Sequence, residues 1–436
     1  MKKLLCVVLC ILVLTGCAAP KEAAPQQTVS ETPKEQTKVE TVTTELSYCT
    51  YLASHADFYN TIADMWNAEN SENHVKLNVT VLEEEDYQTQ LLSLLSSADS
   101  APDFVDFPFN DFAAYASQLQ SLDDLLQGKE DTLVKARCLK NADTYCGLGY
   151  DAGAVVMFYQ TELCKRAGID WQAIKTWDQF EEAAETFQDA FPEGTFTTYE
   201  TNTLNQVLPQ LISQGADFTD QYGNTTLNTP ALTKVLEYSQ SMVENGYAMI
   251  APKEGNEAAK IRNMMQEGRL CAVMMPVSYF NTVAGNGFAV SPLPVWEEGQ
   301  GRSAVVGGTA VGIPTAAKSA KLIKEFLSYA LISPEGAVKE LEMLGYCPVF
   351  TPIWELLEAQ PSANQNSFSN NPFTVLASIK NELLTFSQYE SAYRGRVKLL
   401  EGKVLESSLK GLDSPSNLLA SAQDELSKSK TTIKEE

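Results

Sequence analysis

Histidine is nearly absent from this 436-residue chain; His55 and His74 are the only two. A histidine-rich metal centre is therefore excluded, and any serine–histidine–aspartate arrangement has to be built on one of those two rings. There is no HExxH and no GxSxG, the spacings that mark zinc peptidases and serine hydrolases. Basic residues are also in short supply. Lys and Arg number 32 against 56 Asp and Glu, a net charge of -24. Such a surface repels polyanions, which argues against nucleic acid and anionic lipid as partners. Cysteines are few for the length and form no CxxC pair. Beyond the N-terminal region they are Cys49, Cys138, Cys146, Cys164, Cys271 and Cys347, scattered in apolar surroundings where buried free thiols are expected. Cys138 and Cys146 are close enough in sequence to pair across a turn, which an exported location permits. Outside residues 4–14, no stretch is apolar enough to cross a membrane.

What is present at the N-terminus has a clear order. Lys2 and Lys3 precede the apolar residues 4–14, a run too short to span a bilayer and of the length of a signal-peptide core. Leu14-Thr15-Gly16-Cys17 follows and resembles a bacterial lipobox, with residues 1–16 removed and Cys17 lipidated. The alternative is an ordinary secretory signal cut near Ala18 or Ala19. Residues 17–44 are rich in Ala, Pro, Gln, Thr, Glu and Lys, with almost no large apolar side chains. Such a segment cannot bury enough surface to offset its ordering entropy and reads as a disordered tether. The length that remains suggests two or more domains.

The folded region alternates strand and helix patterns. Phe58, Ile62, Met65 and Trp66 recur at helical spacing over 58–69, and residues 75–81 alternate as a strand. Residues 87–95 are helical, and 101–106 turn into a short strand. Val155 to Tyr159 is continuously apolar, as in a strand buried on both faces. A short helix follows over 161–167, stopped by Gly168. Thr176 is placed to cap the helix that begins at Trp177. Helix patterning extends over 203–246, interrupted by a turn at 217–223. Strands are expected at 270–275 and 305–313, helices at 318–331 and 404–426, and a charged tail at the end. The alternation implies an α/β fold with crossover helices.

Two glycine patterns suggest nucleotide binding and both fail on context. Residues 147–152 fit a loose dinucleotide fingerprint, yet lead into a strand instead of opening a helix. Gly307 to Gly312 has P-loop glycine spacing, but Ile313-Pro314 stands where Lys-Ser/Thr is required. The run Glu83-Glu84-Glu85-Asp86 reads as a solvated helix start. Carboxylates are plentiful, so a glycosidase pair is not excluded by counting, but no spacing promotes any one of them.

Several blocks in order resemble the family 1 extracellular solute-binding proteins, the group that includes maltose-type sugar receptors. They are Ala101-Pro102-Asp103-Phe104-Val105-Asp106 with Leu119-Gln120-Ser121-Leu122-Asp123-Asp124-Leu125, then Phe158-Tyr159-Gln160-Thr161-Glu162-Leu163 through Ala167-Gly168-Ile169 with Thr176-Trp177-Asp178-Gln179-Phe180. Gly268 to Met275, Ser291-Pro292-Leu293-Pro294, Gly307-Gly308 to Ile313-Pro314, and Ser333-Pro334-Glu335 complete the series. Gln160, Gly149 and Tyr279 depart from the commonest family residues.

The resemblance implies a two-lobed periplasmic-binding-protein-like fold of type II, with the ligand cleft between the lobes. It places one lobe at 45–152 and 305–360, the other at 153–304 and 361–430, and a tail at 431–436. It implies a binding protein with no catalytic residues, cofactor or metal. Its expected activity is capture of a mono- or oligosaccharide for an ABC importer permease. The protein is expected as a monomer, lipid-anchored on the outer face of the cytoplasmic membrane of a Gram-positive type host. A peptide or polyol receptor of the same fold, or a surface glycosidase, are the other readings. By position, the expected ligand contacts are Tyr51, His55, Phe109, Asp111, Tyr150, Asp151, Tyr279, Gly307 and Gly308, with Ser54, Phe107 and Phe280 beside them. Rings suit the apolar face of a sugar, and glycine lets it approach the backbone. Trp177, at a helix start, is expected to be structural.

The anchor reading has a direct test. Cys17→Ala is expected to leave a folded protein that is released into the aqueous phase on detergent partitioning. A variant that stays with membranes after signal cleavage overturns it.

Overall fold

The computed structural model describes residues 41–201, 203–218, 226–251, 258–280, 287–359, 368–385 and 393–432. Cys17, the signal and the tether before residue 41, and the last four residues of the tail lie outside them. The strands are β1 (Val42–Thr50), β2 (Asn73–Val81), β3 (Phe104–Pro108), β4 (Cys138–Asn141), β5 (Thr144–Gly149) and β6 (Val155–Gln160). Then come β7 (Thr197–Tyr199), β8 (Ala248–Ile250), β9 (Ala272–Pro276), β10 (Phe288–Ser291), β11 (Ser303–Ala304), β12 (Thr309–Gly312) and β13 (Leu383–Leu384).

The first sheet has the order β2-β1-β3-β12-β5-β4. β1 lies parallel to β2 from Val42↔Asn73 to Thr50↔Val81. The helix Ala53–Glu69 connects them and buries Phe58, Tyr59, Ile62, Ala63 and Trp66 on one face. β2 is the edge strand; only Val75 of its residues is fully inside. β12 arrives late in the chain and enters antiparallel between β3 and β5. β1 opens at Val42, inside the stretch expected to be tether. The Val42 N–H donates to Glu72 O at 2.8 Å and the Thr41 hydroxyl to Ser71 O at 2.8 Å.

The second sheet is antiparallel, in the order β10-β6-β9. Its central strand explains the unbroken apolar run. Val155, Met157 and Tyr159 pack into a core with Trp177, Phe180 and Phe187. Val156 and Phe158 face the opposite way, with Phe280, Phe368 and Phe373. Successive side chains alternate between two cores, so no position tolerates a polar residue. The second of these cores is continuous with that of the first sheet. Trp177 is buried, as its place at a helix start suggested. Thr176 and Gln179 form a reciprocal capping box at the start of Trp177–Ala190.

Two expected elements are shorter than their patterns. Only Thr309–Gly312 of 305–313 is strand, because Gly307 and Gly308 adopt φ of +52° and +83°. A Cβ on Gly308 would stand 2.5 Å from Arg137 Nη2, so glycine is required there twice over. The helix expected over 404–426 breaks near Gly411, at φ +63°, and resumes as Pro415–Thr432, which runs into the charged tail. β5 ends at Gly149 without opening a helix, which closes the dinucleotide reading.

Phe158→Ala removes a fully buried ring from the middle strand of the second sheet. It is expected to lower stability by about 3–5 kcal/mol, read from thermal or urea unfolding. A loss below about 1 kcal/mol would contradict the two-sided packing.

Candidate functional site

The register of the first sheet brings one set of loops together. The carboxyl ends of β1, β3 and β5 and the amino end of β12 share an edge, with Thr309 opposite Pro108 and Ala310 opposite Gly149. Backbone bonds stitch it: Phe109 N–H donates to Gly308 O at 2.9 Å and Tyr150 N–H to Thr309 O at 3.1 Å. Tyr51 Oη lies 2.6 Å from Thr309 Oγ1. In the second sheet β9 ends opposite the start of β6, with Pro276 facing Val155. Tyr279 follows in the short turn Val277–Tyr279. Both edges converge on the segments that pass between the sheets, where Ala154 bridges Val305 and Val306 N–H donates to Gly153 O at 3.0 Å. Strand ends that face one another across a chain crossing are where α/β proteins hold small ligands.

Beneath this edge Asp106 is fully buried and collects donors. Its Oδ2 accepts from the Tyr48 hydroxyl at 2.5 Å, the Thr50 hydroxyl at 2.7 Å and His55 Nδ1 at 2.8 Å. Its Oδ1 accepts from the Tyr150 hydroxyl, whose oxygen is also 2.9 Å from that of Tyr59. Burial, and then the Asp106 charge, push the Tyr48, Tyr59 and Tyr150 phenols well above their ordinary pKa, so they stay protonated and donate. With Nδ1 donating to a carboxylate, His55 offers Nε2 to the Tyr346 hydroxyl at 3.2 Å. Carboxylate, imidazole and hydroxyl stand in a catalytic order, but the hydroxyl is a phenol. Burial raises the Tyr346 pKa, and the Asp151 and Asp106 charges add to it, the opposite of the lowered pKa that activates a nucleophile.

A second buried centre is Arg137. Its Nε donates to Asp151 O at 2.8 Å, Nη2 to Asp151 Oδ1 at 2.5 Å and Nη1 to Gly307 O at 2.7 Å. The guanidinium lies 4.0 Å above the Phe109 ring. One side chain thus holds the ends of three strands. Glu340, on the helix Pro334–Leu344, is also fully buried, and neither of its side-chain oxygens has a hydrogen-bond partner. Burial pushes its pKa well up, the Asp151 charge adds to this, and Arg137 opposes it.

The expected contacts fall into two groups. Tyr51 and Tyr279 are half-buried, and Gly307 and Gly308 lie on the crossing segment with some of their surface open. His55, Phe109, Asp111, Tyr150 and Asp151 are buried, as are neighbouring Phe107 and Phe280, while Ser54 is exposed. In this conformation His55, Phe109 and Tyr150 present no surface to a solute, because their hydrogen bonds and ring faces go to Asp106 and Arg137. Sequence reading passes over Asp106, Arg137, Glu340 and Tyr346. Asp106 closes the block that begins at Ala101, and an isolated acid within an apolar strand is a usable signal. Nothing local distinguishes the other three.

This is the architecture of a two-lobed solute receptor, with the crossing segments at its waist. The chain belongs to the bacterial extracellular solute-binding proteins, whose family model matches residues 62–363. It is 29% identical over 399 residues to the arabinooligosaccharide-binding protein of Bacillus subtilis (strain 168), covering 87% of this chain and 88% of that protein. The sugar-binding protein MalE of Xanthomonas citri matches with a TM-score of 0.75 at 16% identity, over 90% of this chain and 100% of that one. The GacH receptor of Streptomyces glaucescens, solved unliganded and with acarbose, matches at 0.68 and 18% identity, over 89% and 98%.

Glu340 gives the site a pH signature. Its folded pKa is raised, so its favourable contribution is complete below the unfolded carboxylate value of about 4.3 and is lost as pH rises toward the folded value. Glu340→Gln keeps the neutral shape. Its melting temperature is expected to match wild type near pH 4 and exceed it at pH 8. Parallel curves across that range would show that Glu340 does not titrate on folding.

Proposed function

We propose that this chain captures an oligosaccharide outside the cell and presents it to the permease of an ABC importer, without chemical turnover. The observation that carries this reading is the 29% identity to an arabinooligosaccharide-binding protein along nearly the whole of both chains. A second such relative, from Halalkalibacterium halodurans, supports it at 29% over 364 residues. We assign the lobes to 45–152 with 305–360 and to 153–304 with 361–430, and lipid anchoring of a monomer through Cys17. Solute contact is assigned first to Tyr51, Tyr279, Gly307 and Gly308. His55, Phe109, Asp111, Tyr150 and Asp151 form the layer beneath, which fixes the positions of the first group and is reached only if the lobes separate.

Tyr279 is the ring best placed to stack on a sugar. It is half-buried, it follows a strand end, and its neighbour Phe280 turns inward against Phe158. Burial raises its phenol pKa and the Glu200 charge adds, so a neutral hydroxyl is available to hydrogen-bond.

A thermal-shift panel of arabino- and malto-oligosaccharides, peptides and polyols tests the ligand class. A ligand at one hundred times its dissociation constant adds about 2.7 kcal/mol. A response confined to peptides or polyols refutes the carbohydrate reading, and release of product from labelled oligosaccharide refutes the absence of turnover. With the responding sugar, Tyr279→Ala is expected to weaken binding at least tenfold, about 1.4 kcal/mol, by calorimetric titration. Its unliganded melting temperature should barely move. Unchanged affinity with a large loss of stability would make Tyr279 a core residue.

A further inference from the structure

The six cysteines among the described residues are free and buried, and two of them are nearly in contact. Cys164 Sγ and Cys271 Sγ stand 3.4 Å apart, 107 positions apart in sequence. Both are fully enclosed. Their backbones are fixed from several sides. Cys164 O accepts from Ile169 N–H at 2.8 Å, at the end of the helix Thr161–Ala167. Cys271 O accepts from Gln160 N–H at 2.8 Å, and its own N–H reaches the carbonyls of Thr195 and Phe196. Neither sulfur sits near the other by a mobile loop. The pair suggested by sequence, Cys138 and Cys146, behaves differently. Cys138 stands opposite Leu148, and the two sulfurs turn to separate carbonyls, of Val134 and of Thr144.

We propose that Cys164 and Cys271 form a disulfide in the exported protein. An S–S bond of about 2.05 Å requires the two sulfurs to close from 3.4 Å. The oxidising setting comes from the family's extracellular location, where such bonds persist. The oxidant is a low-molecular-weight disulfide. One cysteine thiolate attacks it, forming a mixed disulfide and releasing one small thiol. The second cysteine attacks the mixed disulfide at the protein sulfur and releases the other. Two electrons and two protons pass to the oxidant, and one S–S bond replaces two S–H bonds. Once folded, burial holds the Cys271 thiol well above its ordinary pKa, so the exchange belongs to folding. The bond ties the helix after β6 to the start of β9 and closes a long loop.

The test uses the mature chain with Cys17→Ala, reduced, denatured and refolded in a glutathione–glutathione disulfide buffer. The outcome is independent of where the protein resides in the cell. Alkylation should find four thiols where the reduced chain has six, with a mass lower by about 2 Da and a peptide linking Cys164 to Cys271. Reductant should lower the melting temperature of the oxidised protein by several degrees and leave Cys271→Ser unchanged. If that variant does not fold, the thiol count and peptide map of the parent decide alone. Six free thiols, or a bond between other cysteines, overturns the proposal.

Discussion

A guanidinium sealed from water must satisfy each of its N–H directions and keep its charge opposed, or the interior rejects it. Arg137 gives each of its three nitrogens an acceptor and opposes its charge by drawing in Asp151, the carbonyl of Gly307 and the face of Phe109. These groups belong to the ends of β5, β12 and β3, so the charge dictates how close those ends approach. It also dictates their residues. Gly308 has no room for a side chain, and Gly149 faces the same guanidinium at 2.6 Å from its would-be Cβ. Replacing the arginine leaves Asp151 buried without its cation and removes the charge that opposes the rise in the Glu340 pKa, which is why this single side chain carries more than its share of the waist.

Asp106 has the complementary role on the neighbouring strand β3. A buried carboxylate with three donors on one oxygen and a phenol on the other is held by hydrogen bonds instead of by a cation. The donors come from three places: β1, the helix Ala53–Glu69 and the residue after β5. Removing one donor leaves the charge incompletely satisfied, at a cost of about 1–3 kcal/mol. The layer under the candidate site is therefore cross-linked by hydrogen bonds, and Tyr51 and Thr309 above it are bonded to one another. Preorganisation of this kind limits the ordering cost of binding.

Much of this is legible in the sequence where one physical rule decides the outcome. The helix 87–95 and the strand at 155–159 follow from periodicity and from an unbroken apolar run. The capped start at Trp177 follows from hydrogen-bond chemistry. The strand expected at 305–313 is too long because its apolar pattern continues through Gly307 and Gly308, and only the position of Arg137 explains why the backbone turns there. Apart from Tyr279, the residues expected from sequence to touch the solute gather at one edge of the sheet and on the crossing segment beside it. Sequence order does not separate side chains above that edge from those below. Tyr51 and Tyr150 look alike in sequence, yet one is half-buried and the other is enclosed by Asp106, Tyr59 and His55. That difference arises from tertiary packing between segments far apart, which no local pattern encodes.

The placement of β12 bears on how the molecule comes into being. β3 and β5 have an empty lane between them until a strand from beyond the whole second sheet is delivered. The early segments of the chain cannot finish their own sheet, and its most buried strands keep unpaired edges while the rest is made. Non-local pairing of this kind slows folding. A chain that ends before β12 therefore cannot complete the first sheet. Closure of its centre waits on β12, the strand of that sheet that lies last in the chain.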